Sequence, residues 1–167
     1  MSSNYFHRID INVLYQPFIN RLWHVLNECE QQGSIYIATS GLRTYKEQDE
    51  IYKIGRRGVS GEGIRTMARG GYSPHNFSVA CDMTLHKGDT YTDKLNPDYT
   101  ESHYKLLADT AIAMGLEAGF YWKAPKDGPH IQMPLKKHGF TWDKMRELYK
   151  KGGYELIFAE LDKVQWW

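Results

Sequence analysis

The sequence predicts an α+β fold, a small antiparallel sheet flanked by helices. Apolar residues recur at three-and-four spacing in several separated segments, which marks amphipathic helices. Short alternating or β-branched runs mark strands. The two kinds of segment do not follow the regular strand-helix alternation of a doubly wound sheet.

From Gln16 to Cys29 the apolar positions Phe18, Ile19, Leu22, Trp23, Leu26 and Cys29 predict a helix that Gly33 ends. Ser34 to Thr39 reads as a strand, and a turn at Ser40-Gly41 presents Arg43 just beyond it. Helical spacing returns from Tyr45 to Ile54 and stops at Gly55. The stretch 55–71, with Gly58, Gly61, Gly63 and Gly70 and several arginines, is the longest loop, of a length that usually serves binding or gating. It runs into Ser73-Pro74-His75.

Ser78 to Thr84 alternates, with Val79, Cys81 and Met83 on one face and Asp82 on the other, as in a half-buried strand. A mixed segment to Asn96-Pro97 precedes a helix from Tyr99 to Met114, its stripe formed by Tyr104, Leu107, Ala108, Ala111 and Met114 and its cap by Gly115. Leu116 to Trp122 leads into a turn at Lys126-Asp127-Gly128-Pro129. His130 to Met133 then forms a short strand with His130 and Gln132 on one side. Trp142 to Lys151 is a helix that Gly152-Gly153 breaks, and the segment to Trp166-Trp167 is open between strand and helix.

The 167 residues fit one domain, and the net charge of +1 lacks the basic excess of a dedicated nucleic-acid binder. Cys29 and Cys81, with no Cys-x-x-Cys pair, read as buried free thiols. The first residues do not form a secretory signal, and no apolar window reaches the length of a membrane span, so no stable membrane insertion is expected.

The candidate chemistry-bearing residues are His75, Asp82, His130, Asp127 and Arg43, although among seven histidines and 20 carboxylates spacing alone does not single them out. Catalytic zinc is held by three His or carboxylate ligands with a fourth position left open, and His75, Asp82 and His130 supply two imidazoles and a carboxylate. Asp82 lies seven positions after His75, too far for one helix face, so a turn and a strand must bring them together. Asp127 sits in a tight Asp-Gly-Pro-His turn, placed to act as the base that activates a water beside the metal. Arg43, at a strand end, offers a fixed positive fork to a developing oxyanion or a substrate carboxylate. His7, His24, His86, His103 and His138 read as surface or structural residues.

Residues Ser73 to Asp82 resemble the Ser-x-His-x-x-Gly-x-Ala-x-Asp signature of the D-Ala-D-Ala carboxypeptidase and L-alanyl-D-glutamate endopeptidase family, which includes phage endolysins. Asp127-Gly128-Pro129-His130 resembles its second motif. Ser40-Gly41-Leu42-Arg43-Thr44, followed by Gln48, Tyr52, Gly55 and Arg56, resembles its upstream element. Ser78 stands where the family carries glycine, and Leu42 where it carries an aromatic residue.

The resemblance implies a hedgehog-like peptidase fold with the zinc site on its sheet. One Zn²⁺ would be held by His75, Asp82 and His130, with Asp127 as catalytic acid/base. Arg43 would be a catalytic residue that contacts the substrate or the transition state, Ser73 would contact the substrate, and Trp122 would line the substrate cleft. It implies a peptidoglycan substrate and cleavage within the stem peptide, at the L-alanyl-D-glutamate bond first. Removal of a terminal D-alanine, or a catalytically silent zinc-binding module, are the alternatives; retention of Asp127 and Arg43 argues against the silent module.

Aspartate at 127 resembles the endolysin branch more than the dipeptidase branch, and the missing secretory signal fits an enzyme made in a host cytoplasm and released to the wall at lysis; a monomer is expected. A single catalytic domain over 1–167, without a separate wall-binding domain, is expected. Arg65 and Arg69 read as a solvated loop, and Trp142, Tyr154, Trp166 and Trp167 as packing residues. The spacing of the His and carboxylate residues does not support a non-haem iron oxygenase.

Overall fold

The computed structural model describes residues 4–56, 63–86 and 101–167. Expectations resting on Gly58, Gly61, Asn96, Pro97 and Tyr99 lie outside the described residues.

Helix α1 (Gln16–Gln31) carries a proline in its first turn, where a missing N–H costs no helical hydrogen bond. It buries Phe18, Ile19, Leu22, Val25, Leu26 and Cys29. Trp23, expected in that stripe, is instead 36% exposed. At 3.6 residues per turn Val25 lies roughly 60° from the centre of the stripe and Trp23 roughly 100°, so Val25 faces the core.

Strands β1 (Ile35–Ser40), β2 (Ala80–His86), β3 (Glu117–Ala118) and β4 (His130–Gln132) form one sheet. Its order is β1-β2-β4-β3, and every pairing is antiparallel. The register separates two faces. Tyr36, Ala38, Cys81, Met83, Ala118 and Ile131 join the main core, beneath α1 and α3 (Glu101–Ala113), which pack on each other, on β1 and on β3. Asp82, Thr84, Glu117, His130 and Gln132 lie on the opposite face, which lines an open cleft. Cys29 and Cys81 are buried free thiols, as expected.

Helix α2 (Tyr45–Lys53) begins with a capping box: the Thr44 side chain accepts from the Glu47 N–H, and the Glu47 carboxylate accepts from the Thr44 N–H. The loop beyond it is tied back onto α2. Gln48 donates to the Ala68 carbonyl at 2.9 Å, and the Gly70 N–H donates to Asp49 at 2.8 Å.

The strand expected from Ser78 begins at Ala80, because Ser78 adopts φ 64°, ψ 27° and ends a 3-10 turn, Pro74–Phe77. This left-handed step redirects the chain from the turn into β2. Helix α4 (Trp142–Leu161) supports the turn from outside: Trp142 stacks on Phe77 at 6.2 Å, and the Tyr154 hydroxyl donates to the Asn76 carbonyl at 3.3 Å.

The break at Gly152-Gly153 is local. Gly153, at φ 63° and ψ −153°, occupies a region open essentially to glycine alone, and the helix resumes to Leu161. Trp166 then packs on His138 and Phe140, and Arg21 lies over the Trp167 ring. The segment from Leu116 contributes β3 and a 3-10 turn, Gly119–Tyr121. Among the described residues no helix is long and apolar enough to cross a membrane.

Candidate active site

Asp82 on β2 and His130 on β4 are direct cross-strand partners, so the antiparallel register sets their side chains side by side on the cleft face. His75 reaches them from the 3-10 turn. Its backbone carbonyl accepts from the Arg43 N–H at 3.1 Å, and its ring Nδ1 lies 2.7 Å from the Gly41 carbonyl. A carbonyl can only accept, so Nδ1 carries the proton and Nε2 turns a lone pair inward.

Three atoms therefore converge. His75 Nε2 lies 3.1 Å from Asp82 Oδ1 and 3.2 Å from His130 Nδ1, and His130 Nδ1 lies 3.1 Å from Asp82 Oδ1. Both imidazoles are almost fully buried, at 2% and 3% exposure. Tetrahedral ligands about 2.05 Å from a zinc ion stand roughly 3.3 Å apart, so the donor spacing fits such an ion closely. The donor set fits as well: two imidazoles and one carboxylate leave a fourth position free.

The electrostatics run the same way. Burial alone would raise the Asp82 carboxyl, but the two imidazoles overcome it and hold Asp82 well below the ordinary range. Burial pushes His75 down, toward the neutral form that ligates. Burial also opposes charge on His130, yet the Asp82 carboxylate and Asp127 outweigh it and raise that imidazole. The carboxylates thus favour a positive charge at the site, either a proton on His130 or a metal ion that displaces it.

Arg43 meets Asp82 from the other side. Its guanidinium pairs with Asp82 Oδ2, its Nε donates to Ser40 Oγ at 2.9 Å, and it borders the cleft. The side chain placed by sequence as a substrate contact thus also braces a candidate ligand. Ser73, Trp122 and Asp127 line the same cleft, whose volume is about 680 Å³. Trp122 packs its ring 5.0 Å from that of His130. The Asp127 carboxyl is raised by burial, to which the Asp82 charge adds, against the pull of His130, His75 and Arg43.

Several residues that matter here drew no role from the sequence. Asn76 is fully buried and ties three segments together, accepting from the Gly71 N–H at 2.9 Å and donating to the Arg43 carbonyl at 2.8 Å and the Thr44 carbonyl at 3.3 Å. Gly119 lets its turn press on the Asp127–His130 segment: a Cβ there would stand 2.5 Å from the Asp127 carbonyl oxygen and 3.1 Å from the Cβ of His130. Gln132 Oε1 lies 2.9 Å from the outer nitrogen of His130, and Glu117 accepts from Gln132. Only Gln132 carried a sequence signal, its place two residues after His130 on the same strand face. Asn76, Gly119 and Glu117 act through contacts distant in sequence.

A family model for VanY, D-alanyl-D-alanine carboxypeptidase, matches residues 12–133, a span that contains the whole cluster. The peptidoglycan L-alanyl-D-glutamate endopeptidase CwlK of Bacillus subtilis (strain 168) is 38% identical over 109 residues, which is 61% of this chain and 62% of CwlK. The chain thus matches somewhat less than two thirds of that relative's length.

Among solved structures, the L-Ala D-Glu endopeptidase ChiX of Serratia marcescens aligns with a TM-score of 0.55 and 19% identity, over 77% of this chain and 86% of ChiX. The D,D-pentapeptidase VanY of a VanB-type resistance cassette, crystallised as a variant with Zn(II), aligns with a TM-score of 0.52 and 17% identity, over 90% and 83% of the two chains. At these identities the two structures establish the fold.

Proposed function

The chain belongs to the VanY D-alanyl-D-alanine carboxypeptidase family, and from that premise we propose that it is a zinc-dependent peptidase hydrolysing an amide bond in peptidoglycan stem peptides. The observation that carries the reading is the convergence of His75 Nε2, Asp82 Oδ1 and His130 Nδ1 within 3.1–3.2 Å on the cleft face of the sheet. The L-alanyl-D-glutamate bond is the favoured target, on the strength of the 38% identity to CwlK, whose name gives that bond.

The residues divide the work. His75, Asp82 and His130 would hold one zinc ion, which when bound supplies Lewis acidity and makes water a competent nucleophile near neutral pH. Asp127 takes the proton from the attacking water and returns it to the leaving amine. Burial lifts its carboxyl toward the basicity that such a shuttle requires. Arg43 pairs with Asp82 and orients it, and its cleft-facing charge suits an oxyanion or a substrate carboxylate. Trp122 and Ser73 border the groove that would receive the peptide.

Digestion of purified sacculi followed by mass spectrometry tests the reading. New L-alanine carboxyl and D-glutamate amino termini are the expected products. Release of free D-alanine alone would make the enzyme a carboxypeptidase, and no new termini would end the peptidase reading. The endolysin role rests on Asp127 and on the resemblance described above. Co-expression with a membrane-permeabilising protein should lyse a host, and expression alone should not.

A further inference from the structure

We infer that Glu117 and Gln132 form a positioning relay that locks His130 in the tautomer protonated at Nε2, leaving Nδ1 free for the metal ion. The inference rests on the zinc-site reading for the identity of the ion, whereas the tautomer is a property of the protein itself.

A neutral imidazole carries one N–H, and because the inner nitrogen of His130 faces the Asp82 carboxylate at 3.1 Å, the partner of the outer nitrogen must outcompete that acceptor for the proton. The outer nitrogen of His130 is Nε2, 2.9 Å from Gln132 Oε1. An amide alone leaves the choice open, since turning it over exchanges acceptor and donor. Glu117 removes that freedom. Its Oε2 lies 2.7 Å from Gln132 Nε2, and the Met133 carbonyl faces the same nitrogen at 3.5 Å. Two acceptors require the NH₂ end of the amide, so its oxygen must face His130, and Nε2 must carry the proton.

The relay is built into the sheet. Glu117 on β3 and Gln132 on β4 are direct cross-strand partners, and His130 lies two residues along β4 on the same face. Gln132 is 5% exposed, so bulk water offers little competition for its amide. His75 receives the same service from a single backbone carbonyl, Gly41. His130 needs two side chains for it, and side chains can be substituted.

The test uses the full chain with Gln132→Leu, Glu117→Leu and Glu117→Gln. Two quantities are read: the His130 ring nitrogens by long-range proton–nitrogen NMR on zinc-free protein, at a pH high enough that the ring is neutral, and the zinc dissociation constant by chelator competition. Partners that orient a metal-binding histidine typically change affinity by roughly 10- to 100-fold. Gln132→Leu should weaken zinc binding by that amount and give a mixed tautomer. Glu117→Leu should mix the tautomer and weaken zinc by about 10-fold. Glu117→Gln should stay within about twofold of wild type, because its carbonyl oxygen still accepts from Gln132.

Wild-type affinity and tautomer in both leucine variants would overturn the relay. If Gln132→Leu does not fold, equal affinities for Glu117→Leu and Glu117→Gln would overturn it. A wild-type protein that binds no zinc would remove the zinc reading instead, and the tautomer on zinc-free protein would still decide the relay, which fails if Nδ1–H dominates.

Discussion

Replacing Ser78 with glycine should stabilise the protein, and the structure sets the size of the gain. Ser78 sits at φ 64°, ψ 27°, the only described residue other than glycine with positive φ. A left-handed conformation costs an L-residue about 1–2 kcal/mol. The Ser78 hydroxyl is also buried without a hydrogen-bond partner, a penalty of about 1–3 kcal/mol. Glycine removes both and loses about 0.5–1 kcal/mol to the greater freedom of the unfolded chain. With each gain at its minimum and the loss at its maximum, Ser78→Gly still stabilises by about 1 kcal/mol. For a chain of this size that raises the melting temperature by about 2–4 °C.

Urea titration and thermal melts of the zinc-loaded protein read the change. Ser78→Ala separates its two sources, since alanine removes the hydroxyl and keeps the strain. It should gain less than Ser78→Gly. A neutral or destabilised glycine variant would refute the reasoning, because the left-handed turn into β2 would then cost serine nothing.

Asp127→Ala should retain zinc and lose about 10²- to 10⁴-fold in rate, whereas His130→Ala should lose both; metal analysis beside an activity assay distinguishes them, and zinc loss in Asp127→Ala would make it a ligand. Gly119→Ala should destabilise by about 1–3 kcal/mol and weaken zinc, since the added carbon must displace the Asp127 backbone; thermal melts with and without zinc read both effects. Glu47 is held below its ordinary value near 4.5 by hydrogen bonds from the Thr44 backbone and hydroxyl. Its folded pKa is therefore lower than its unfolded one, so its stabilising contribution is complete above the unfolded value and is lost as pH falls through the folded value. Glu47→Gln should flatten that acid limb in stability measured against pH.

The sequence carried the site further than it carried the geometry around it. Alternation placed Asp82 opposite Cys81 and Met83, and the short strand at His130 supplied its partner; the fold brings the two together with His75. Their meeting is long-range, however, and three ordered motifs rather than periodicity singled them out from the other histidines. Periodicity misjudged Trp23, whose size and apolar character outweighed its angular position. It also ran β2 back through Ser78, because a serine in an alternating segment gives no sign of a left-handed backbone. The glycine expected there by resemblance was the better guide to the turn. Glu117 and Gly119 were silent for a physical reason: one acts by accepting a hydrogen bond across the sheet and the other by lacking a side chain, and neither leaves a pattern along the chain.

The most direct test of the account is a zinc titration of metal-free protein, with release of stem-peptide termini from sacculi as the readout. Activity should be absent without metal, rise in proportion to added zinc and level off at one equivalent per chain. Undiminished activity in the metal-free protein, or none at any zinc level, would contradict a zinc-dependent peptidase built on His75, Asp82 and His130.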